Sequence, residues 1–509
     1  MREWDAKRVA GAAGARLLAE RSPKGEEAAA GVGPRGVGID SRGDVRGRLF
    51  VGLPGEREDG GGYAARALEA GAWGVLVGQE HAERALAAAL GGPGGAVLVH
   101  PDPLRGLQAL ANAWRRELGA RGAKVVAITG STGKTSTKDI LAAVLAGRRR
   151  TVASSENLNT EIGLPLSLLA AEGDTEMLVL EMAMRGPGQI AELTEIAEPD
   201  VGVIVNVGPV HLELLGSIEA IAAAKAELIA GVASGATVVL PAAEPLLRAH
   251  LRADVRTVTF GAGGDVTLEE PAGPHPVNPG EVERGEQARA GASGEVVIRH
   301  EGERIALRPS FSQRYNLANL LAAVAAARAL GVTPEGELEV RFSALRGERV
   351  ALGGGITLVN DCYNANPMSM RAAIEDLTET TAASAAAPAS GSLAARRLAV
   401  LGDMLELGGD QGPALHREVG AYASARGVEV LVTVGPLAAE MVGSFAGEAY
   451  SVPDAGAAGE LLEGLLRAGD TVLVKGSRGV GLERVAQILR ADVAAGPRPS
   501  GARQTVGRR

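Results

Sequence analysis

Short apolar runs alternate with longer amphipathic or alanine-rich stretches along most of the chain. Helical patterns between the runs include one over residues 137–145 and one over about 316–330. This alternation is typical of parallel sheets covered by helices, so we expect an α/β fold throughout. The runs predict buried strands at 48–51, 73–77, 96–99, 125–129, 177–180, 201–205, 237–240, 398–401, 428–434 and 471–474.

The pattern divides the chain into three blocks followed by a tail. Its 509 residues fit about three domains. Residues 262–300 are rich in Gly, Pro and Glu and are predicted to form a peripheral excursion, and residues 382–395 to form a loop. We expect domains at 1–118, 119–332 and 333–492 and a disordered basic tail at 493–509.

Composition narrows the class of protein. The net charge of −9 argues against a general nucleic-acid binder, and the aromatic content of 3% leaves little for base stacking. No apolar run approaches the roughly 20 residues of a membrane span. The single cysteine, Cys362, cannot form an internal disulfide, so we expect a reducing cytoplasm. Separately, we expect the protein to be a monomer.

Lysine is rare in this chain, since only 7 of the 52 basic residues are Lys. A position that remains lysine where arginine is otherwise preferred is a candidate for chemistry that needs a compact amine. A simpler explanation is that a few lysines remain by chance, and we apply this explanation to Lys7 and Lys24. Lys138 is expected to face solvent. Lys134, Lys225 and Lys475 lie in patterns that suggest a function.

A glycine-rich segment, Thr-Gly-Ser-Thr-Gly-Lys-Thr-Ser at 129–136, follows a strand and opens a helix. Glycines let backbone N–H groups turn towards phosphate oxygens, and the helix N-terminus favours their charge. Two residues rather than four separate the glycines, so this is a shortened phosphate loop. Lys134 is expected to reach the β- and γ-phosphates and the Thr135 hydroxyl to bind Mg²⁺.

Two other strand ends carry groups suited to a metal ion beside bound triphosphate. Glu181 follows the run at 177–180, and Asn206 follows the run at 201–205, with His211 five residues later. Ligands gather outside the carboxyl ends of parallel strands, and Mg²⁺ prefers oxygen. Taken alone, Glu181 is more often a solvated strand end and His211 a loop histidine; the phosphate loop favours the metal role.

Lys225 lies in an apolar helical stripe, four residues after Ile221 and three before Leu228. A charged amine on such a face is costly unless it is paired or neutralised. One explanation is a lysine whose stem packs on the stripe while its head reaches water. The other is a lysine whose charge has been removed or reversed by modification.

Nearly the whole chain resembles the Mur ligase family, the ATP-dependent amide-forming ligases of peptidoglycan synthesis. The residues that carry the resemblance are Gly-Ile-Asp-Ser-Arg at 38–42, Leu-Phe-Val-Gly-Leu-Pro-Gly at 49–55, the loop at 129–135, Asn-Leu-Asn-Thr-Glu-Ile-Gly-Leu-Pro at 157–165, Glu-Met at 181–182, Asn206, His-Leu at 211–212, Ala-Lys-Ala-Glu at 224–227, Asn-Asp-Cys-Tyr-Asn-Ala-Asn-Pro at 360–367, Leu-Gly-Asp-Met-Leu-Glu-Leu at 401–407 and Val-Lys-Gly-Ser-Arg at 474–478.

The resemblance implies a central parallel-sheet P-loop ATPase domain, flanked by a UDP-substrate α/β domain and a Rossmann-like C-terminal domain. It implies that ATP converts a peptide carboxylate to an acyl phosphate, which an amine then attacks. The strings Tyr-Asn-Ala-Asn-Pro and Lys-Gly-Ser-Arg favour the member that joins D-Ala-D-Ala to UDP-N-acetylmuramoyl-tripeptide. A sibling ligase that adds diaminopimelate or lysine is the nearest alternative, and an ATP-binding scaffold without ligase activity is another.

The resemblance also implies individual roles. Lys134, Glu181, His211 and Lys225 form the implied catalytic set; Thr135 and Glu181 hold one Mg²⁺, while His211 and a carbamylated Lys225 serve a second. The implied contacts to ATP are those of Thr129, Gly130, Ser131, Thr132, Gly133, Lys134, Thr135, Ser136, Tyr315, Asn319, Arg346, Asp361, Tyr363 and Asn364. The implied contacts to substrate are those of Ser41, Arg42, Asn157, Asn159, Thr160, Asn366, Lys475 and Ser477.

Two departures from the family pattern affect these roles. The family usually has Gly-Arg-His-Asn before the linker helix, where this chain has Gln-Arg-Tyr-Asn at 313–316. Tyr315 can still stack on adenine, but a contact specific to histidine is lost. The family's Asp-Gly-His in the first domain is Asp-Gly-Gly at 59–61, which weakens the case for a histidine there.

Overall fold

The computed structural model describes residues 1–20, 32–92, 94–155, 157–269, 294–385 and 396–495. Its contacts divide the chain into two compact units. Unit 1 contains Met1–Val207, Ala222–Ser312 and Asn316–Arg341, and unit 2 contains Gly208–Ile221, Gln313–Tyr315 and the chain from Phe342 onward. The division into three domains at the boundaries given above stays a prediction.

The first sheet belongs to unit 1 and has the strand order β1-β5-β4-β3-β2. Strand β1 is antiparallel to β5, and the other neighbours are parallel. Apolar residues of β3, β4 and β5 pack against alanines and leucines of the helices. The strands are β1 (Arg16–Ala19), β2 (Val37–Gly38), β3 (Leu49–Val51), β4 (Gly74–Val77) and β5 (Ala96–Val99), and the helices α1 (Ala6–Ala12), α2 (Ala64–Glu69), α3 (Ala82–Gly91) and α4 (Pro103–Ala120).

The second sheet, also in unit 1, has ten strands among the described residues, in the order β15-β14-β13-β12-β11-β10-β9-β6-β8-β7. From β7 to β12 neighbouring strands are parallel, whereas β13 is antiparallel to both β12 and β14. The strands are β6 (Lys124–Thr129), β7 (Thr151–Ala153), β8 (Met177–Glu181), β9 (Val201–Ile204), β10 (Thr237–Pro241), β11 (Arg256–Phe260), β12 (Val266–Leu268), β13 (Val296–His300), β14 (Glu303–Pro309) and β15 (Gly336–Leu338).

The helices beside this sheet follow the alternation that the sequence predicts. The central strands β6, β8 and β9 are almost wholly apolar and buried, as expected of a parallel sheet covered on both faces. The helices are α5 (Lys134–Ala146), α6 (Gly163–Leu169), α7 (Gln189–Ala197), α9 (Ile218–Gly231) and α10 (Arg314–Ala329).

The third sheet belongs to unit 2 and has the order β16-β17-β21-β18-β19-β20. Only β16 is antiparallel to its neighbour, and an apolar core covers each face. The strands are β16 (Glu348–Ala351), β17 (Thr357–Asn360), β18 (Arg397–Gly402), β19 (Val430–Val434), β20 (Glu448–Val452) and β21 (Thr471–Lys475), and the helices α8 (Leu212–Leu215), α11 (Pro367–Ala385), α12 (Gly412–Ala425), α13 (Ala455–Leu465) and α14 (Glu483–Ala495).

The α/β fold class is confirmed, and the predicted strands are present within a few residues. The predicted excursion at 262–300 is wrong at both flanks, because β12 and β13 pair with each other and extend the second sheet; residues 270–293 lie outside the described part. Helix α11 reaches residue 385, inside the predicted loop, and residues 386–395 are not described. Helix α14 reaches Ala495, beyond the predicted start of the tail, and residues 496–509 are not described.

Among the described residues, no helix combines the length and the apolar character needed to cross a bilayer.

Candidate active site

The phosphate loop occupies the carboxyl end of β6 in unit 1. The strand ends at Thr129, and α5 begins at Lys134, three residues earlier than the helical pattern predicts. Gly130 and Gly133 have φ of 156° and 77°, of which the second lies in the left-handed region that favours glycine. A Cβ at Gly133 would come within 2.6 Å of Asn319 Oδ1, so the predicted ATP contact Asn319 lies directly beside the loop.

Asn206, at the end of β9, holds the phosphate loop in shape. Its Oδ1 accepts hydrogen bonds from the backbone N–H groups of Ser131 (3.1 Å) and Thr132 (2.9 Å). Its Nδ2 donates to the Thr132 carbonyl at 3.1 Å. The loop is thereby organised by a side chain from a neighbouring strand, as the strand-end argument predicts.

Thr135 and Glu181 meet at the base of the loop. The Thr135 hydroxyl donates to Glu181 Oε2 at 2.7 Å, and both residues are buried. Asn159 donates to the other carboxylate oxygen at 2.9 Å, and the Glu181 backbone N–H donates to Ser154 Oγ at 3.2 Å. A carboxylate and a hydroxyl held side by side form an oxygen donor set of the kind that Mg²⁺ prefers. Glu181 is the last residue of β8 rather than the first residue after it.

Two lysines with different surroundings belong to this centre. The Lys134 Nζ donates to the Gly130 carbonyl at 2.8 Å, across the loop it belongs to. Lys225 lies on α9 with 2% of its surface exposed, between the fully buried Ile221 and Leu228. No hydrogen bond or ion pair joins Lys225 to any residue that the structure describes.

Burial, together with the nearby positive charge of Lys134, holds the pKa of Lys225 well below its ordinary value. The interpretation of a lysine whose head reaches water does not fit an amine this deeply buried. The other interpretation, a lysine whose charge has been removed or reversed by modification, stays a prediction.

Unit 2 contains a second buried lysine, Lys475, at the end of β21. Its Nζ forms an ion pair with Asp361 Oδ2 at 2.6 Å and donates to the Asn364 carbonyl at 3.1 Å. The structure thus brings together three residues that the sequence predicted separately, two as ATP contacts and one as a substrate contact. Lys138, in unit 1, is also buried and pairs with Asp139 at 2.6 Å, so the expectation that Lys138 faces solvent is wrong.

An arginine–tyrosine stack lies in the same unit. The Arg346 guanidinium lies 4.2 Å from the centre of the Tyr363 ring, and that of Arg478 lies 5.9 Å from it. A flat guanidinium on an aromatic ring presents a planar cationic face. Tyr315 is half-buried in this unit, and burial raises the pKa of its phenol well above the ordinary value.

His211 has φ of 54°, a left-handed conformation that is unusual for a non-glycine residue. Its Nδ1 pairs with Glu406 Oε2, and Glu406 also has a positive φ, of 65°. Non-glycine residues in this region tend to cluster at functional sites. Glu406 was not singled out as a site residue by the sequence, although the string at 401–407 that contains it was noted.

The remaining predicted site residues lie in several places. Asn366 Oδ1 accepts from the Ser369 N–H and caps α11, and Ser477 Oγ accepts from the Leu405 N–H, so both side chains bond to backbone. Arg42 makes a two-pronged contact with Asp40, which lowers the pKa of that carboxyl to about 2. Asn157 is exposed, and so is Thr160. The substrate roles of all these residues stay predictions.

Two family models match the chain. Residues 128–327 match the Mur ligase middle domain, and residues 345–478 match the Mur ligase, glutamate ligase domain. Thr129 to Ser136, Glu181, His211 and Lys225 lie within the first match, and Asp361 and Lys475 lie within the second.

Curated relatives and solved structures cover nearly the whole chain. UDP-N-acetylmuramoyl-tripeptide–D-alanyl-D-alanine ligases of Mycobacterium leprae and Bacillus subtilis are 36% and 34% identical, covering 94% and 89% of this chain and 97% and 93% of theirs. MurF ligase from Thermotoga maritima, solved in complex with ADP, has a TM-score of 0.73 at 28% identity, covering 91% of this chain and 98% of that one. MurF from Acinetobacter baumannii shares the fold, with a TM-score of 0.77 at 24% identity over 96% of this chain and 99% of that one.

Proposed function

Because the chain belongs to the Mur ligase family, we propose that it joins D-Ala-D-Ala to UDP-N-acetylmuramoyl-tripeptide, with ATP cleaved to ADP and phosphate. The names of the relatives support this choice of substrates over those of a sibling ligase. The reaction belongs to peptidoglycan precursor synthesis, which we assign to the cytoplasm, and we expect a monomer. No feature of the site favours a scaffold without activity.

The chemistry requires activation of a poor acyl donor. The terminal carboxylate of the tripeptide attacks the γ-phosphorus of ATP, so that ADP leaves and an acyl phosphate forms. The free amine of D-Ala-D-Ala then adds to the acyl carbon, and the tetrahedral intermediate expels phosphate as the amide forms. Catalysis of this kind depends on positioning and charge stabilisation more than on covalent help from the protein.

The contact between Thr135 and Glu181 beneath the phosphate loop is the observation that carries the proposal. Lys134, one residue before Thr135, supplies a fixed positive charge for the γ-phosphate. The hydroxyl and carboxylate oxygens fit Mg²⁺, which would neutralise charge on the β- and γ-phosphate oxygens. Thr135 and Glu181 would hold this ion.

Lys225 would act as a carbamate. Its uncharged amine adds to CO₂, forming an N–C bond and releasing one proton, and the product is an anion. The nearby positive charge of Lys134 would stabilise such an anion. The carbamate would also have the oxygen donors that a second Mg²⁺ requires. The burial and the lack of a partner among described residues support this assignment.

We keep the remaining roles as proposals. His211 would be a ligand of the second ion, with Glu406 holding its ring. The proposed ATP contacts beyond the loop are Tyr315, Asn319, Arg346, Asp361, Tyr363 and Asn364. The proposed substrate contacts are Ser41, Arg42, Asn157, Asn159, Thr160, Asn366, Lys475 and Ser477.

The test is phosphate release from ATP and Mg²⁺ in the presence of UDP-N-acetylmuramoyl-tripeptide, with and without D-Ala-D-Ala. We expect release to depend on D-Ala-D-Ala and to match the amount of pentapeptide product found by mass spectrometry. A parallel reaction with the UDP-dipeptide and diaminopimelate or lysine tests the sibling activity. Both tripeptides, ending in diaminopimelate and in lysine, should be tried.

The matched control is a pair of lysine variants. Lys134→Met should abolish phosphate release, while Lys7→Met, in α1 and exposed, should leave it unchanged. Phosphate release that is equal with and without D-Ala-D-Ala, or product that forms only from the dipeptide, contradicts the proposed function.

A further inference from the structure

His416, on α12 in unit 2, is a buried histidine for which the proposed function provides no role. None of its surface is exposed. Its Nε2 accepts a hydrogen bond from the Met404 N–H at 2.9 Å, and its Nδ1 lies 2.6 Å from the Gly412 carbonyl oxygen. A backbone N–H can only donate and a carbonyl oxygen can only accept, so the ring is neutral and carries its proton on Nδ1.

Burial holds the pKa of the His416 imidazole below its ordinary value, in agreement with this neutral form. The carboxylates of Asp403 and Glu440 act in the opposite direction without outweighing burial. Val419, one helical turn later, and Met404 belong to an apolar core of the third sheet. An aliphatic side chain would fit such surroundings without the cost of burying a polar ring. The acceptor that the ring provides for the Met404 N–H therefore explains why a histidine lies here.

The Met404 N–H belongs to the short segment that follows β18, and three neighbouring parts of unit 2 hold this segment. The N–H of Asp403 donates to a carbonyl oxygen at the end of β19 at 3.2 Å. The N–H of Leu405 donates to Ser477 Oγ, after β21, at 3.0 Å. The Met404 N–H between them donates to His416. Three successive N–H groups are thus fixed by acceptors from β19, from α12 and from the loop after β21.

The next residue of the segment is Glu406, whose φ of 65° lies in the left-handed region. A non-glycine residue keeps such a conformation only where the surrounding structure fixes it. The Glu406 carboxylate pairs with Nδ1 of His211, which also has a left-handed φ. Leu405, just before Glu406, is 42% exposed, so its own side chain does little to anchor the segment. The hydrogen bonds of the preceding N–H groups therefore set where the carboxylate meets the imidazole.

We propose that His416 is a positioning residue for His211, acting through the Met404 N–H and the Glu406 carboxylate. The inference rests on the proposed function, in which His211 is a ligand of the second Mg²⁺. Without the acceptor on His416, the buried Met404 N–H loses its hydrogen bond, and the segment has to shift to find another acceptor. That shift moves Glu406 away from the ring of His211.

The test uses variants that separate the acceptor from the volume of the ring. His416→Gln keeps an acceptor oxygen near the position of Nε2, whereas His416→Leu fills the space without one. Glu406→Ala removes the carboxylate directly. His300→Leu, at a histidine of unit 1 with 4% of its surface exposed, is the matched control.

The first measurement needs no ligand. It is the imidazole NMR signal of His211 in protein labelled at histidine Cε1, assigned by its absence from His211→Gln. We expect His416→Leu to shift this signal in the same direction as Glu406→Ala. The signal should stay in place in His416→Gln, because the acceptor is restored, and in His300→Leu.

The second measurement is the free Mg²⁺ concentration that gives half-maximal activity. We expect it to rise about 10-fold in His416→Leu, as is typical when a residue behind a metal ligand is lost. Adding His416→Leu to Glu406→Ala should give no further rise, because both changes act on His211 through the same carboxylate. A purely structural role predicts instead that the two effects multiply.

An unchanged His211 signal in a folded His416→Leu variant overturns the inference, as does a double variant in which the two effects multiply. His416→Asn, whose side chain is too short to reach the Met404 N–H, gives the same test if the leucine variant does not fold. A signal that shifts as expected, while the Mg²⁺ requirement stays at the wild-type value even in Glu406→Ala, supports the positioning and overturns the metal role of His211 in the proposed function.

Discussion

Lys225 in unit 1 and Lys475 in unit 2 are the same side chain at nearly the same burial, with 2% and 3% of their surface exposed. Lys475 has a carboxylate at 2.6 Å and carbonyl oxygens around its Nζ. Lys225 has apolar neighbours and the positive charge of Lys134. The surroundings in unit 2 therefore stabilise the charged ammonium group of a buried lysine, whereas those in unit 1 destabilise it.

The presence or absence of a carboxylate partner distinguishes a lysine that stabilises the structure from a lysine that can react. A buried cation with a partner is stable as a cation, and it fixes the loop that carries Asp361 and Asn364. A buried amine without one loses its proton and becomes a nucleophile. Burial alone therefore does not identify a reactive lysine; the partners around it do.

The largest effect is expected from removing the amine of Lys225. Lys225→Ala and Lys225→Met should each lower kcat about 10²- to 10³-fold, since the anion they would lose stabilises the transition state. Added acetate or formate should partly restore Lys225→Ala, where a cavity can admit a carboxylate. Lys225→Met fills that cavity and should not respond. If Lys225→Ala keeps the kcat of the wild type, Lys225 has no role in catalysis and does not differ from Lys475 in the way we propose.

The second prediction concerns stability. Lys475→Met should lower the free energy of unfolding by about 3 kcal/mol, because Asp361 is left without its cation. Lys225→Met should instead leave the free energy of unfolding unchanged or raise it, since it removes an amine that has no partner among described residues. Urea titrations of both variants measure this. Equal destabilisation by the two substitutions would contradict it.

A third test compares the carboxylates of the two units. Glu181→Gln should raise the Mg²⁺ concentration needed for half-maximal activity about 10- to 100-fold, because Gln keeps the shape but loses the charge. Asp361→Asn, the matched change beside Lys475, should leave the Mg²⁺ requirement unchanged. Activity measured across a Mg²⁺ series checks both expectations. An equal increase of the Mg²⁺ requirement in both variants would contradict the assignment of the metal to Glu181.

The smallest effect is a dependence of stability on pH. The pKa of Lys225 is lowered in the folded chain, so the unfolded chain binds the extra proton between that pKa and about 10.5. Stability therefore rises with pH in this window, by about 1.4 kcal/mol per pH unit at most. Lys225→Met lacks this slope, so its advantage over the unmodified wild type should shrink as the pH rises towards about 10.5. Parallel slopes would contradict the lowered pKa.

The sequence predicts the centre of each sheet well and its edges poorly. Strands such as Leu398–Leu401 and Ala96–Val99 are unbroken apolar runs because both faces are buried, so hydropathy alone locates them. The strands β13 and β14 have alternating exposed and buried residues and border a Gly- and Pro-rich segment, so their pattern resembles a loop. Antiparallel strands towards the edge of a sheet are therefore marked in the sequence only by a short alternation of polar and apolar residues.

Local motifs were also easier to predict than contacts between distant residues. The phosphate loop is contiguous, so its spacing identifies it. The pair Asp361–Lys475 is separated by more than a hundred residues, and the sequence assigned the two residues to different ligands. The contact between Asp59 Oδ2 and His81 Nε2, at 2.8 Å, was not predicted either, because nothing in the spacing of two residues 22 positions apart indicates that they meet.

The backbone N–H groups of Ser131 and Thr132 converge on one acceptor, Asn206 Oδ1, which comes from outside the phosphate loop. The conformation of the loop is therefore set by a neighbouring strand of the sheet, so binding ATP should cost little reorganisation of the loop. We expect the affinity for ATP to depend largely on charge and to weaken as the ionic strength rises.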